Sequence, residues 1–362
     1  MMMMMNNGPS PILSEAGPVM IIGSTGFIGR FVTEACIDSG RLTYLLVRSR
    51  GLTSPPASKS SVLNSFKEKG ANIIHGSIND QDFMVKVLRE YGIEVVISAV
   101  GGESTNDQLT LVEAIRAAGT VKRFLPSEFG HDIDRADPVE PGLRMYNEKR
   151  QVRRAIEKGG IPYTYICCNS IAAWPYHDNT HPSEVLPPLD QLNIYGDGSV
   201  KAYFVAGSDI GKFTIKAMDD VRTLNKTLHF QPPNNLLNMN DLASLWEKKI
   251  GRSIPRVTIT EDDLLDAAGE MRIPASVVAA LTHDIFIKGC QINYLMDKAT
   301  DIEACSLYPE TPFTSIDECF NGFVAKIVEN QKLVNKQQAA GNNNGIIIPN
   351  RKQEALAIAT CS

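Results

Sequence analysis

No stretch of this sequence approaches the roughly 18 uninterrupted apolar residues of a membrane-spanning helix, so no transmembrane segment and no membrane partner are expected. A secretory leader is not expected either. In MMMMMNNGPSPILSEAGP no cation precedes the apolar part, and Asn6, Asn7, Pro9 and Pro11 interrupt it. The 7 cysteines show no paired spacing, which argues against a disulfide framework and for small core side chains in a reducing compartment, the cytoplasm. Cys361 stands at the wrong place for prenylation. There is no basic stripe, and a net charge of −5 disfavours nucleic acid as a partner. His177 and His181 in HDNTH have a superficially metal-like spacing. Pro175 and Pro182 flank them in a loop with no cysteine near, and no metal is expected.

What is present is a chain of 362 residues, 43% of them hydrophobic, enough for one large domain or two closely packed ones. From Val19, short β-branched runs alternate with helical stretches. VMIIG, TYLLV (Thr43 to Val47), ANIIHG, VVISAV (95–100), RFLPS (123–127) and YTYICC (163–168) read as strands. Helices are expected over Gly26 to Ser39, Asp80 to Tyr91, about 107–118 and Tyr146 to Lys158. The pattern predicts an α/β fold: a Rossmann-type, doubly wound parallel sheet covered on both faces. Residues 175–200 read mostly as loop, followed by LASLWEKKIG, PRVTIT and a helical stretch from Ala275 to Lys288. The division expected is a flexible N-terminus over 1–18, a dinucleotide-binding domain over 19–170, and a smaller α/β substrate lobe over 171–330. Some segments of that lobe are allowed to return to the first sheet. The polar remainder, 331–362, is expected to be disordered. A substrate cleft is expected between lobe and sheet, at the carboxyl edge where open α/β sheets bind ligands.

GSTGFIG follows the first strand and opens a helix. Gly23 suits a tight turn, Gly26 lets the backbone approach a pyrophosphate, and Gly29 allows close helix–strand packing. The whole loop, Gly23, Ser24, Thr25, Gly26, Phe27, Ile28 and Gly29, is therefore a candidate cofactor site. Strands that bind NAD end in an acid that holds the ribose hydroxyls. Here the second strand ends in Arg48, with Ser49 and Arg50 after it and Lys59 further on. A guanidinium matches a 2′-phosphate through paired charge-assisted bonds, so NADPH is the expected cofactor.

In YNEKRQVRRAIEKGG, Tyr146, Lys149 and Arg153 share one helix face, while Arg150 and Arg154 point elsewhere. Lys149 could act as a base if burial and the nearby Arg153 lower its pKa, although the same residues also read as ordinary surface charges. His131 lies in SEFGHD beside Asp132 and Asp134, whose carboxylates would favour an imidazolium. His283 precedes Asp284 in an apolar helix and reads equally as a core histidine or a ligand contact. Cys167 and Cys168 point to opposite faces of a strand, so they cannot form one site.

The glycine loop, the strand-end arginine and the EK helix ending in paired arginines are shared with a known group. On them, residues 19–330 resemble the plant reductases acting on isoflavones, pinoresinol and lariciresinol, and phenylcoumaran benzylic ethers. Within that group RFLP (123–126), ICCN (166–169) and THD (282–284) resemble the signature motifs of the leucoanthocyanidin reductases. The resemblance implies NADPH-dependent reduction of a flavan-3,4-diol to a flavan-3-ol of the catechin type, with a flavonoid as the small-molecule partner. It implies Lys149 as catalytic base, His131 as acid partner, Arg153 as a cofactor contact and His283 as a substrate contact. Tyr146 stands three residues before Lys149 rather than the four of ordinary short-chain dehydrogenases. It is placed against the substrate without a proton-donor role. The alternatives are a sister reductase for a lignan, phenylcoumaran or isoflavone, and a non-catalytic NADP sensor on the same fold.

Overall fold

The computed structural model describes residues 16–48, 57–175 and 186–342. Its first half follows the alternation of the sequence: β1 (Val19–Ile22), α1 (Phe27–Asp38), β2 (Thr43–Val47), α2 (Ala57–Glu68), β3 (Asn72–His75), α3 (Gln81–Glu90), β4 (Val95–Ser98), α4 (Asp107–Ala118), β5 (Arg123–Leu125), α5 (Gly142–Lys158) and β6 (Thr164–Cys167). The first five strands form a parallel sheet in the order β3-β2-β1-β4-β5. All of β1 is buried because successive side chains enter cores on opposite faces. Val19 and Ile21 pack with Val32 and Cys36 of α1, whereas Met20 and Ile22 pack with Met84, Val112 and Ile115 of α3 and α4. Between β1 and β4 the strand order reverses direction, which opens a crevice at the carboxyl edge of the sheet.

The second half contains β7 (Ser170–Ile171), β8 (Leu192–Tyr195), β9 (Lys201–Val205), α6 (Gly207–Met218), β10 (Lys226–His229), β11 (Leu236–Asn238), α7 (Met239–Ile250), β12 (Arg256–Ile259), α8 (Glu261–Gly269), α9 (Ala275–Phe286), β13 (Asp301–Glu303), α10 (Ala304–Leu307) and α11 (Ile316–Asn342). Two of these strands join β6 in a parallel ribbon, β13-β10-β6, that among the described residues adjoins the first sheet through a single bridge. Phe124 bridges to Tyr163 beside β6, and β10 lies parallel between β6 and β13. Helix α6 lies against α1, with Ile210 and Phe213 in the same core. The other elements build a lobe of their own. In it β9 pairs with β7 and β11, β8 pairs with β12, and Trp246, Tyr195, Phe204, Phe286 and Phe320 fill a separate core.

One expectation is corrected, the disorder of the chain from 331, and the structure adds two helices and a short strand to the elements read from the sequence. Helices α2 and α6 were not anticipated. Serines and polar residues dominate ASKSSVLNSFKE, and Gly207 and Gly211 weaken the helix signal of α6, which is held by its packing on α1. The stretch 175–200 contains β8. The chain from 331 was expected to be disordered, yet α11 continues through Asn342. Phe320, Phe323, Val324 and Ile327 anchor its first half against Trp246 and its neighbours. Propagation then adds residues cheaply through QKLVNKQQAA, which is rich in helix formers. The N-terminal residues 1–15, Ser49, Arg50, His177, His181 and the tail 343–362 lie outside the described residues. Among the described residues no helix is long and apolar enough to cross a membrane.

Candidate active site

The carboxyl ends of β1, β2, β3 and β4 enclose a cleft of about 450 Å³. Its floor is the turn from Gly23 to Gly26. Gly23 sits at φ +80°, and a Cβ there would lie 2.3 Å from the carbonyl oxygen of Ala99. A Cβ on Gly29 would lie 2.0 Å from the carbonyl oxygen of Gly23, so only glycine lets α1 start this close to the sheet. The first turn of α1 has no acidic residue and its N-cap Gly26 makes no side-chain cap, so no side chain competes with an anion at this helix end. Arg48 and Lys59 line the cleft together with Ser24 and Thr25. No acidic residue ends β2. A glycine floor, an uncapped helix end and two cations suit a phosphorylated dinucleotide. The rest of the expected loop lies outside the lining: Ile28 packs on the sheet core, Phe27 meets the edge of Phe31 at 5.4 Å, and Gly29 serves packing alone.

Helix α5 clamps the segment that follows β5. Half-buried Lys149 donates from Nζ to the carbonyl oxygen of Glu128 at 2.8 Å. Burial lowers its pKa, Glu128 opposes that shift, and Arg153 adds a smaller lowering effect. The expected influence of Arg153 is therefore present but is outweighed by desolvation. Arg153 was expected to touch the cofactor, and here the structure departs from the sequence reading. It is 2% exposed, and its donors are taken by Glu128 at 2.9 and 3.0 Å, Asp132 at 2.9 Å and Asp134 at 3.0 Å. It also stacks over Tyr165 at 4.5 Å. Arg150, read as a surface charge, instead donates to the carbonyls of Ile133 and Ala136 at 2.8 and 2.6 Å. Arg154 is mostly solvated but reaches Asp134 at 2.6 Å. Helix and loop thus form one charged unit.

This unit presents His131 beside Tyr146, with ring centroids 5.7 Å apart. The charge expected on His131 is corrected. Burial, and then Lys149, push its pKa down to about 4 against the opposing pull of Asp132. Asp132 cannot hold an imidazolium, because its carboxylate is committed to Arg135 and Arg153. The imidazole is neutral at neutral pH, and among the described residues its buried Nε2 has no hydrogen-bond partner. Its Nδ1 lies 3.3 Å from Nε2 of Gln291, a fully buried residue that nothing in the local pattern GCQIN marks. Tyr146 is buried and its phenol is raised well above the usual range, chiefly by desolvation. That agrees with a residue that positions rather than ionises.

The motif residues divide between scaffold and site. Arg123 of RFLP is buried and bonds Thr164 and Thr223 at 2.7 and 2.9 Å, tying β5 to the neighbouring strand and to the turn that follows α6. Cys167 and Cys168 are both buried; Cys168 joins the sheet core and Cys167 sits 4.0 Å from Arg153. His283 of THD places Nε2 2.9 Å from Glu261 on α8, so its described partner is a carboxylate of the lobe. The adjacent Asp284 is buried near Cys290 and Tyr146, and burial raises its pKa. Among the described residues Asp132, His229 and Asp301 cluster closely enough to suggest a metal. Arg135 and Arg153 already pair with both carboxylates, so the cluster is an ion-pair network.

Sequence and fold comparisons agree with one another. The profile of the NmrA-like family matches residues 15–320. A leucoanthocyanidin reductase of Desmodium uncinatum is 58% identical over 308 residues, covering 85% of this chain and 80% of that protein. The binary complex of leucoanthocyanidin reductase with NADPH from Vitis vinifera superposes with a TM-score of 0.82 at 60% identity. It covers 85% of this chain and all of that one. The phenylcoumaran benzylic ether reductase TP7 of Nicotiana tabacum is 42% identical over 312 residues, covering 86% of this chain and 100% of that protein.

Proposed function

The chain belongs to the NmrA-like family, and from that premise we propose that it reduces a flavan-3,4-diol to a flavan-3-ol with NADPH. The observation that carries the chemistry is a half-buried lysine of lowered pKa beside a neutral, buried imidazole with one unmatched nitrogen. A C4 hydroxyl leaves poorly, so direct displacement would be slow. The phenolic 7-hydroxyl lies para to the ring carbon that bears C4, and removing its proton lets the ring expel the C4 hydroxyl as a quinone methide. Phenols have a pKa of about 10, within reach of a lysine whose own pKa burial has lowered. Lys149 takes that proton, and the carbonyl of Glu128 keeps the amine in place. His131, being neutral, donates a hydrogen bond to the departing hydroxyl. The proton removed and the hydroxide released leave together as water. NADPH supplies the hydride that C4 accepts, and a solvent proton restores the phenol.

Arg48 and Lys59 hold the 2′-phosphate in this reading, and Ser24 and Thr25 lie beside the pyrophosphate, which the backbone at Gly26 can approach closely. A sister reductase would share these parts, but the identity of 58–60% to leucoanthocyanidin reductases against 42% to a phenylcoumaran enzyme favours the flavandiol. The test is turnover by the full chain of a panel of flavan-3,4-diols, phenylcoumarans, lignans and isoflavones with NADPH. A flavan-3-ol product from the diol is expected, and faster turnover of any other class overturns the assignment. With Lys149→Met, turnover should fall at least ~10²-fold while NADPH still binds, because loss of a general base typically costs about 10²–10⁴. Activity within tenfold of wild type removes Lys149 from the mechanism.

A further inference from the structure

Gln291 lies between α9 and β13 and has no exposed surface. Only one orientation of its amide fits the surroundings. The main-chain N–H of Tyr203, on β9, approaches one terminal atom at 2.9 Å, and a donor requires an acceptor there, so that atom is Oε1. The other terminal atom is therefore Nε2, 2.8 Å from Oγ of Ser170 and 3.3 Å from Nδ1 of His131. An amide nitrogen can only donate. The Nδ1 it faces must then be the bare nitrogen of the ring, and a neutral imidazole carries its one proton on the other nitrogen. That other nitrogen, Nε2, is buried and has no partner among the described residues.

We propose that Gln291 is a positioning residue that holds His131 as its Nε2–H tautomer, so that the unmatched N–H is the donor offered to the departing hydroxyl of the substrate. The second half of this statement rests on the role given to His131 above; the tautomer itself does not. The groups facing the ring are consistent with it. Lys149 from α5 disfavours a second proton on the ring, Asp132 is committed to arginines, and the Tyr146 ring packs beside it without titrating nearby. Lys149 and His131 then divide the work without competing: the amine accepts a proton and the imidazole presents one.

The ring can be read directly in the full-length protein labelled with ¹⁵N-histidine. There are only 6 histidines, and His131→Asn identifies the resonances of interest. At neutral pH the wild type should show a protonated Nε2 and a bare Nδ1. Gln291→Glu keeps an acceptor for Tyr203 but turns a carboxylate oxygen toward Nδ1. The proton should move to Nδ1, and kcat on a flavan-3,4-diol should fall at least tenfold with NADPH affinity unchanged. A protonated Nδ1 in the wild type overturns the proposal, and so does a Gln291→Glu ring that keeps its tautomer. A tautomer that switches without loss of kcat overturns the functional half. If Gln291→Glu does not fold, the wild-type spectrum decides the tautomer alone. A wild type inactive on every flavandiol defeats the proposed activity instead, and the spectrum reports separately.

Discussion

At the scale of single residues, the cofactor preference and the charge on His131 can each be tested. Arg48 stands at the end of β2 where an NAD enzyme carries an acid, and it lines the cleft with Lys59. Arg48→Ala should weaken NADPH at least tenfold more than NADH, because only the former has a dianion to lose. Equal losses in titrations with the two cofactors would remove Arg48 from the 2′-phosphate. His131 is held neutral, with its folded pKa pushed from 6.5 to about 4. The unfolded chain therefore binds more protons than the folded one between those values, and stability must fall as pH falls. The contribution is fully present above pH 6.5 and lost as pH drops toward 4. For a shift of this size it is at most roughly 3 kcal/mol. Denaturant unfolding at several pH values should show a shallower decline across this window in His131→Asn than in wild type. Parallel declines would mean that the imidazole is charged in the folded protein.

At the scale of elements, α5 and the segment Ser127–Arg135 stand or fall together. Arg153 places a guanidinium between Glu128, Asp132 and Asp134, and the first two of these carboxylates are almost wholly buried. Breaking a buried pair by deleting one partner typically costs about 3–5 kcal/mol, since the other charge remains without compensation. Arg153→Met should therefore lower Tm by at least ~6 °C, at about 2–4 °C per kcal/mol for a chain of this size. Thermal melts with and without NADPH separate the two readings of this residue. A Tm close to wild type together with weakened NADPH would return Arg153 to the cofactor. Loops are usually the mobile part of an active site. Here Arg150, Arg153 and Lys149 bond the loop at carbonyls and carboxylates, so His131 is carried on a braced segment.

At the scale of the whole molecule, the carboxyl edge of one sheet carries the cofactor cleft, and a residue from beyond the lobe helix α9 reaches the loop that bears His131. Gln291 lies in the stretch that leads from the lobe helix α9 to β13 of the β13-β10-β6 ribbon, and it meets His131 there. The described packing of helix α11 on the lobe lies in its first half, at Phe320, Phe323, Val324 and Ile327. Deleting the residues after Lys332 removes none of these anchors. It should shift Tm by no more than ~4 °C, the equivalent of about 1 kcal/mol. A drop beyond ten degrees in a melt of the truncated chain would mean that later residues pack on the body.

The parts legible from the sequence were those governed by local pattern. The short apolar run VMII, the spacing of GSTGFIG and the missing acid after TYLLV led to a covered parallel sheet, a glycine floor and a cationic cleft end. They were legible because backbone conformation and side-chain alternation depend on near neighbours. The shared face of Tyr146, Lys149 and Arg153 was equally visible, since helix geometry alone sets it. What those residues touch was not. Arg153 met three carboxylates from a loop about twenty residues away, and His283 met Glu261 on another helix. The charge of His131 also ran against its neighbours in sequence. Asp132 and Asp134 suggested an imidazolium, but arginines hold both carboxylates, and burial beside Lys149 decides the proton. Desolvation and pairing are set by what the folded chain brings within a few ångströms, and for His131 that includes Gln291, 160 residues further on.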